Sequence, residues 1–544
     1  MVLLRQPLDA EAARQAGSAP ARARRTEAQR RRRRSGVVVP LFSIRSREGW
    51  GLGEIADIPR FAAWARRAGF SVLQLLPVNE VSGADASPYA AISAFAIDPV
   101  YLSLEACEDF TAAGGRDALT PELRAQLDAA NNAKRVDWPT VRALKREGIR
   151  IAFARYLREE WEKRTPRARQ LMAFMKGNRS WLDDYGLFSV LHEQFQKSWL
   201  DWDPGARDRS APAIAAAREQ HGEALLRAKW VQWQLDVQWK KARREASDAG
   251  VELMGDLPFV VGVDSADVWS NRELFRIDQH VGTPPDDSTP DGQDWGLPVY
   301  NWPALESNHF AWIRARSMRA GTLFSLCRID HVIGLYRTYY RSTDGKQRGF
   351  TPADEGTQVA LGEKVIRIMS HWGEVVAEDL GAVPPFLRPS LERLGVAGYR
   401  VLRWEKDGKA HRDPSSWPVA SVATNATHDT DTTAEWYDSL SQEERNELLR
   451  IKGFESIDPK QQFDPKTRDV FLKALYDTPS TLALVPFQDA MGSRERINRP
   501  GTVDATNWTY RIDKTTDELN ADRDDTARLA ALAIDSGRCP AEDK

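Results

Sequence analysis

The sequence contains few cysteines. Cys107, Cys327 and Cys539 are the only three in 544 residues, and they are widely separated. The odd count and the lack of a CxxC spacing argue against a disulfide framework and against a zinc site. So few thiols are typical of a protein in a reducing compartment, and we predict a cytoplasmic location.

Long hydrophobic runs are also missing. No run of about 18 apolar residues suggests a membrane span, and no apolar stretch near the N-terminus resembles a signal peptide. We therefore expect no membrane partner.

The chain carries no large excess of one charge, with 76 basic and 78 acidic residues and a net charge of -2. Since such a chain is not built as a polyanion binder, we predict no nucleic-acid partner. The charge is uneven, because residues 1–35 hold ten arginines and three acids. The run Arg30–Arg34 could belong to a nucleic-acid-binding arm or a transit peptide. The few large apolar groups in 1–35 favour a disordered, solvated tail.

Eight short apolar runs recur along the chain, separated by segments with helical spacing. Apolar runs of this length suit strands buried on both faces of a parallel sheet. One intervening segment, 57–69, has apolar residues at helical spacing and ends in Gly69, a helix C-cap signal. The pattern predicts an α/β fold, a (β/α)8 TIM barrel with large, mostly helical insertions between its strands. The eight runs are 36–42, 71–78, 251–259, 326–332, 374–381, 399–405, 421–429 and 482–489.

The barrel itself is predicted over residues 36–515. Because a minimal barrel needs only about 250 residues, this one must carry insertions. Residues 79–250 are predicted to form a mostly helical subdomain. Residues 260–301 are dense in Gly, Pro and Asp and are predicted to form an active-site loop. Residues 516–544 are predicted to be a peripheral C-terminal tail.

Four of the predicted strand ends carry a carboxylic acid: Asp256, Asp330, Glu378 and Asp429. Any one of them alone is more simply explained as a helix N-cap or a surface acid. Active sites of such barrels lie at the C-terminal ends of the strands, where these four would converge. Like charges repel unless a ligand or cation compensates, so the convergence indicates a functional site.

Arg328 and Asp330 lie two residues apart in one run and therefore face the same way. The guanidinium favours ionised Asp330, which is the state a covalent nucleophile needs. Cys327 and Ile329 should then pack against the helices. The alternative is an ordinary Arg–Asp pair that links two strands.

Glu378 follows an apolar run and can keep a raised pKa, which suits a proton donor. Retaining cleavage of a glycoside needs one ionised carboxylate as nucleophile and one protonated carboxyl for the leaving oxygen. Asp429 could hold sugar hydroxyls as the ring flattens. His428 could donate to the same sugar, or it could be a hydrogen-bonded structural histidine.

Several blocks resemble those of one family, the amylomaltases or 4-α-glucanotransferases of glycoside hydrolase family 77. "RIDH" (328–331), "AEDLG" (377–381) and "THD" (427–429) resemble its catalytic blocks. The resemblance covers roughly residues 36–510, and the order of the blocks makes it specific. The other blocks are "GLGE" (51–54), "SPYAAISAFA" (87–96), "GDLPFVV" (255–261), "GQDWGLPVY" (292–300) and "INRPGT" (497–502).

The resemblance implies Asp330 as nucleophile, Glu378 as general acid and base, and Asp429 as stabiliser of the transition state. It also implies substrate-binding residues for the donor glucose and for a flexible loop that covers the glucan. Tyr89 would stack under the donor ring, whose hydroxyls would contact Asp256, Arg328 and His428, and the loop would contribute Gln293 and Trp295. The family uses no metal and no organic cofactor. Where it often has an aromatic and a basic residue after the nucleophile block, this chain has Val332 and Ile333.

The implied activity is transfer of an α-1,4-glucan segment from a glucan donor to the 4-hydroxyl of glucose or a maltooligosaccharide. Three alternatives remain open. An α-amylase-like retaining hydrolase would use the same three carboxylates. An enolase-type barrel would bind Mg²⁺ through its strand-end acids, although Arg328 beside Asp330 speaks against it. A glucan-binding protein without activity is the third.

Overall fold

A computed structural model describes residues 32–82, 87–285, 290–408, 410–502 and 504–539 of the chain. Most of the predicted Arg-rich tail, residues 1–31, lies outside the described residues, as do residues 540–544. No helix within the described ranges is long and apolar enough to cross a membrane.

Eight parallel strands form a closed barrel in chain order, and the first strand pairs with both the second and the last. Each strand overlaps one of the eight predicted runs, which confirms the (β/α)8 fold. The strands are β1 (Arg34–Val38), β2 (Val72–Gln74), β3 (Glu252–Leu257), β4 (Leu326–Ile329), β5 (Glu374–Ala377), β6 (Ala397–Val401), β7 (Ser421–Thr424) and β8 (Leu482–Pro486).

Side chains alternate along the strands between the barrel interior and the surrounding helices, as the period of two requires. On β4, Leu326 belongs to the apolar cluster inside the barrel, whereas Cys327 and Ile329 belong to the core shared with the helices. Arg328 is the next inward residue after Leu326. The interior therefore changes from apolar to charged toward the C-terminal ends of the strands, which we call the mouth. The apolar interior consists of Val72, Met254, Leu326, Val376, Tyr399, Val422, Leu482 and Leu484.

Helices surround the barrel and fill the segment between β2 and β3. That segment is helical over most of Glu108–Asp248, and its last helix, Gly222–Asp248, buries Leu235, Trp239, Ala242 and Ala246 at helical spacing. The α-helices are Asp57–Arg67, Glu108–Ala112, Pro121–Asn132, Trp138–Tyr156, Pro166–Gly177, Arg179–Phe195, Pro204–Arg207, Ala211–Gln220, Gly222–Asp248, Ala266–Ser270, Trp302–Ser307, Ala311–Leu323, Ile333–Tyr336, Glu355–Met369, Leu387–Leu394, Thr433–Ser439, Gln442–Leu448, Pro465–Asp477, Phe487–Met491, Thr516–Ala521 and Arg523–Asp535.

Short single turns connect many of these elements. Leu157–Trp161 forms a π-helical turn, and the 3-10 turns are Leu41–Ser43, Pro99–Tyr101, Gly115–Ala118, Trp199–Asp201, Arg272–Leu274 and Pro414–Ser416. A two-stranded hairpin, Lys406–Asp407 with Ala410–His411, follows β6.

Residues 260–301 contain more regular structure than the predicted loop. Phe275–Thr283 and Gln293–Tyr300 pair as an antiparallel hairpin, which we call the Trp295 hairpin. Its first strand also pairs with Thr338–Ser342, which in turn pairs with Arg348–Thr351. The sequence does not predict this sheet, because its third strand, Thr338–Ser342, comes from a segment after β4. No local pattern links that segment to the hairpin.

The two chain ends also differ from the predicted tails. Arg34 and Ser35 fall within the predicted disordered segment but are the first residues of β1. Arg33 donates to the carbonyls of Tyr476, Thr478 and Ser536, so its charge has partners in the fold. A side chain that completes the hydrogen bonds of buried carbonyls is ordered rather than solvated.

The segment after residue 515 forms two helices that pack on helix Asp57–Arg67. Gly69, which ends that helix with φ +87°, lies so close to the last helix that a β-carbon on it would be 2.6 Å from Ala533 Cβ. Glycine is needed there for both its conformation and its size. Arg538, buried, donates to the carbonyls of Arg34, Tyr476 and Thr478. The predicted peripheral tail is therefore part of the helical layer.

Candidate active site

Arg328 lies at the centre of the mouth, with Asp256 beside it in the register of β3 and β4. Its Nη1 lies 2.6 and 2.7 Å from the two carboxylate oxygens of Asp256. Both side chains are buried. The adjacent strand positions bring the two charges together, so the contact follows from the barrel register.

Asp330 and Glu378 each follow the last residue of their strand. The ladder of main-chain hydrogen bonds continues past the strand ends, since Asp330 N donates to Leu257 O and Glu378 N donates to Ile329 O. Each of these hydrogen bonds is 3.0 Å long. Arg328 Nη2 lies 3.0 Å from Asp330 Oδ1 and 3.7 Å from Glu378 Oε2. These distances limit the separation of the two carboxyl groups to about 6.7 Å. Retaining glycosidases hold theirs about 5 Å apart.

Burial raises the pKa of Glu378 to about 8, although the charge of Arg328 opposes the shift. The charge of Asp330 adds to the rise. Glu378 Oε2 also accepts a 2.6 Å hydrogen bond from the main-chain N–H of His331, whose φ of +42° is unusual for a residue with a side chain. Glu378 is therefore protonated at neutral pH and held in a defined orientation. We call Arg328 with Asp256, Asp330 and Glu378 the acid cluster.

Tyr89 and His428 form one wall beside the acid cluster. The two rings are nearly parallel, with centroids 5.2 Å apart, and Trp508 contacts both at 5.9 Å. Burial and the nearby Asp256 raise the pKa of Tyr89, so its phenol stays protonated and donates to Asp256 Oδ2 over 2.8 Å. A phenol donor and ring faces beside fixed carboxylates suit a sugar, which offers hydroxyl groups and an apolar face.

Asp429 lies at the edge of this wall, with 45% of its side chain accessible. Its carboxylate is 3.1 Å from His428 Nε2 and accepts a 2.6 Å hydrogen bond from Asn498 Nδ2. Although part of its side chain is accessible, desolvation by the surrounding protein atoms raises the pKa of Asp429, but His428, Asn498 and the charge of Arg328 outweigh this effect and hold that pKa at about 2. Asp429 is thus ionised across the neutral range.

The Trp295 hairpin reaches the acid cluster through His331. The rings of Trp295 and His331 meet edge to face with centroids 4.8 Å apart, and Phe259 contacts His331 at 5.7 Å. Trp295 Nε1 donates to Gln293 Oε1 over 3.0 Å. Burial lowers the pKa of His331, so the ring between the hairpin and Glu378 is neutral.

All nine predicted site residues thus lie at the mouth, seven in or beside the acid cluster and two on the Trp295 hairpin. Sequence reasoning gave no role to Asn498, Trp508 or the main chain of His331. Asn498 lies within the "INRPGT" block, so its position in that block was the available signal. Val332 and Ile333 are both buried in the core, which places their side chains in packing.

Comparison with known proteins agrees with this geometry. The model of glycoside hydrolase family 77, described as 4-alpha-glucanotransferase, matches residues 39–516. The chain belongs to this family. Among curated relatives of the family, the 4-alpha-glucanotransferase of Thermus thermophilus is 31% identical over 504 residues, covering 89% of this chain and 95% of the relative. That of Chlamydia pneumoniae is 29% identical over 508 residues, covering 89% and 92%.

Solved structures share the fold of this family 77 chain. The amylomaltase from Streptococcus agalactiae, solved in complex with acarbose, superposes with a TM-score of 0.80 at 24% identity, covering 94% of this chain and all of that one. The amylomaltase from Corynebacterium glutamicum gives a TM-score of 0.75 at 21% identity, covering 96% and 76%. The predicted family and fold are confirmed.

Proposed function

We propose that this chain is a 4-alpha-glucanotransferase that moves a segment of an α-1,4-glucan to the 4-hydroxyl of glucose or a maltooligosaccharide. The proposal rests on the different surroundings of two carboxyl groups in the acid cluster, those of Glu378 and Asp330. Glu378 holds a proton at neutral pH, while Asp330 lies 3.0 Å from the guanidinium of Arg328. A proton donor and a charge-stabilised carboxylate within one cluster are what retaining glycosyl transfer needs.

In the first step, a carboxylate oxygen of Asp330 attacks C1 of the donor. The bond from C1 to the glycosidic oxygen breaks, and Glu378 gives its proton to that oxygen as the shortened glucan leaves. The product is a β-linked glucosyl ester of Asp330. We assign the donor ring to the wall of Tyr89 and His428, where Asp256 and Arg328 reach its hydroxyls.

In the second step, the 4-hydroxyl of the acceptor attacks C1 from the face that the leaving group vacated. Glu378, now a carboxylate, takes the hydroxyl proton, and the ester bond to Asp330 breaks. Two inversions restore the α-1,4 linkage. We assign Asp429 to the sugar hydroxyls during both steps, because an ionised carboxylate at the wall favours the positive charge that develops on the ring.

Transfer requires that an acceptor sugar react before water does. We assign Gln293 and Trp295 to covering the bound glucan, since the hairpin that carries them touches His331 beside Glu378. A cover of this kind excludes water from the ester. The chemistry uses only side chains of the chain, and Arg328 supplies the positive charge among the acids, so we propose no metal or organic cofactor. A cytoplasmic location remains our prediction.

Incubation with maltotriose separates the proposal from its alternatives. Transfer predicts glucose together with maltopentaose and longer oligomers, whereas hydrolysis predicts maltose and glucose alone. An enolase-type enzyme would lose activity with EDTA, and a glucan-binding protein would bind maltotriose without turnover.

Asp330→Asn should abolish transfer while the unfolding midpoint stays within the error of the unsubstituted protein. The control is Asp344→Asn, at an exposed turn next to Thr338–Ser342, which should retain full activity. Substantial transfer by Asp330→Asn would refute the assignment of the nucleophile.

A further inference from the structure

The Trp295 hairpin is irregular at the tryptophan itself. Between the ladder pair of His280 with Pro298 and that of Gly282 with Asp294, the first strand has one residue and the second has three. Trp295 is the first of these three residues, which form a bulge on the edge strand of the sheet. Bulges on edge strands next to active sites redirect a side chain. The bulge therefore sets the direction of the Trp295 indole.

The carboxylate of Asp294 spans this bulge. Its Oδ1 lies 3.1 Å and its Oδ2 lies 3.3 Å from Nδ1 of His280 on the opposite strand. Oδ1 also accepts a 2.9 Å hydrogen bond from the main-chain N–H of Gly296, whose φ of +65° favours glycine. One side chain thus joins the opposite strand to the residue that follows Trp295.

The strand that carries His280 is the better supported of the two. On its other side it pairs with Thr338–Ser342, where Arg341 lies in register with His280. Arg341 also donates over 3.2 Å to the carbonyl of Asp291, just before the second strand of the hairpin. Within the described sheet, the strand of Trp295 pairs only with the first strand of the hairpin. Its position therefore depends on contacts that cross the hairpin.

The indole that the bulge directs lies next to the general acid. Trp295 meets the ring of His331 edge to face at 4.8 Å, and the main-chain N–H of His331 donates to Glu378 over 2.6 Å. The side chains of His280 and Asp294 are 28% and 46% accessible. A pair this exposed contributes little to global stability, so its loss should shift the hairpin without unfolding the chain.

We propose that His280 and Asp294 are positioning residues that favour transfer over hydrolysis, because they hold the bulge that places Trp295 beside His331. This role rests on the proposed function, in which Trp295 covers the bound glucan. Without the pair, the indole spends less time against His331, and water reaches the glucosyl ester more often.

Hydrolysis then competes with the second step of transfer. A water oxygen attacks C1 of the ester, Glu378 takes one proton of the water, and the bond from C1 to Asp330 breaks. The product is a free reducing glucan instead of a lengthened acceptor. The ratio of these two products measures how well the cover excludes water.

The partition test uses α-maltosyl fluoride as donor and glucose as acceptor, at initial rates. The ratio of maltotriose, the transfer product, to free maltose should fall about tenfold in Asp294→Ala, which removes two hydrogen bonds, and about threefold in His280→Ala, which removes one. Release of fluoride without acceptor should not fall in either variant. Damage to the fold would lower both rates together and leave the ratio unchanged.

Two further variants test how the pair acts. Asp294→Asn should restore most of the ratio, because Oδ1 alone contacts both His280 and Gly296 and the amide keeps that oxygen. The double variant of His280→Ala with Asp294→Ala should lose no more than Asp294→Ala alone, since the two side chains act through one contact. The control is Asp291→Ala, at an exposed acid of the same hairpin, which keeps the main-chain carbonyl that accepts from Arg341 and should keep the ratio.

The results distinguish the two proposals. If the unsubstituted protein forms no transfer product, the proposed function fails. If it transfers and both alanine variants keep its ratio, only the positioning role fails. That role is also overturned if Asp294→Asn loses as much as Asp294→Ala, or if the losses at the two positions multiply in the double variant.

Discussion

The two ends of the barrel each place one buried arginine between acids of β3 and β5. At the mouth Arg328 contacts Asp256 and Glu378. At the opposite end Arg34 contacts Glu252, 3.3 Å away, and Glu374. The paired acids lie four residues apart, Glu252 and Asp256 on β3 and Glu374 and Glu378 at the start of β5 and directly after its end, so the chain uses one arrangement twice. We call Arg34, Glu252 and Glu374 the basal cluster.

The clusters differ in the number of carboxyl groups and in their contact with water. Arg328 faces three carboxyl groups because Asp330 joins the pair, whereas Arg34 faces two. The side chains of Glu252 and Glu374 are each 32% accessible, compared with 17% for Glu378. Water screens the charges of the basal cluster. At the mouth, burial and the additional carboxyl of Asp330 raise the pKa of Glu378 and keep it protonated. An arginine between acids at the strand ends therefore indicates a reactive site only where the arginine does not compensate all the carboxyl groups and where these groups are buried.

The largest expected contrast is between the two glutamates of β5. Glu378→Gln removes the acid that protonates the leaving oxygen and should lower kcat/KM for maltotriose by about 10²–10⁴-fold. The same substitution at Glu374 should leave activity unchanged. The loss should be much smaller with α-maltosyl fluoride, whose leaving group needs no proton. An equal loss with both donors would show that Glu378 does not act as the acid.

Replacing the arginines is expected to give the next largest contrast. Arg328→Lys keeps the charge but loses the planar fork that reaches Asp256, Asp330 and Glu378 together, so kcat/KM should fall by roughly 10²-fold. Arg34→Lys should keep full activity. Initial rates with maltotriose measure both variants, and comparable losses in the two would remove the distinction between the ends.

The pH profile sharpens the contrast further. Glu378 must be protonated to serve the leaving oxygen, so kcat/KM should fall about tenfold for each pH unit above a pKa of about 8. Asp429, with a pKa of about 2, should stay ionised throughout this range. The alkaline fall should persist in Glu374→Gln and be absent in Glu378→Gln. A fall that persists in Glu378→Gln would assign it to another group.

The smallest expected effect is on stability at the basal end. Arg34→Met leaves Glu252 and Glu374 without their shared cation and should lower the free energy of unfolding by about 1–3 kcal/mol, because both acids are partly screened by water. Urea unfolding measures this, and activity at room temperature should not change. Loss of activity without loss of stability would place the basal cluster in catalysis.

Much of the fold was predictable because the informative patterns are local. Each barrel strand is a short apolar run, and Leu326, Arg328 and Asp330 follow the period of two that separates interior from exterior. The acids at the strand ends could be collected at one mouth because parallel strands of a barrel all end on the same side.

The remaining features depend on contacts between segments far apart in the chain. The third strand of the hairpin sheet, Thr338–Ser342, has no local signal that pairs it with Phe275–Thr283. The scarcity of large apolar groups in residues 1–35 predicts a disordered tail that includes Arg34, yet its partners Glu252 and Glu374 lie more than 200 residues away. A run of like charges in the sequence does not show which of its residues becomes buried, because contacts with distant segments decide that.

The sequence by itself determined the barrel, the family and the residue types at the mouth, because periodicity and the order of motifs are properties of the linear chain. The tertiary structure decided the charge state and the partners. The proton on Glu378 depends on burial and on a third carboxyl, and the low pKa of Asp429 depends on His428 and Asn498. Burial and electrostatic interaction act through space, so these properties arise only once distant segments meet.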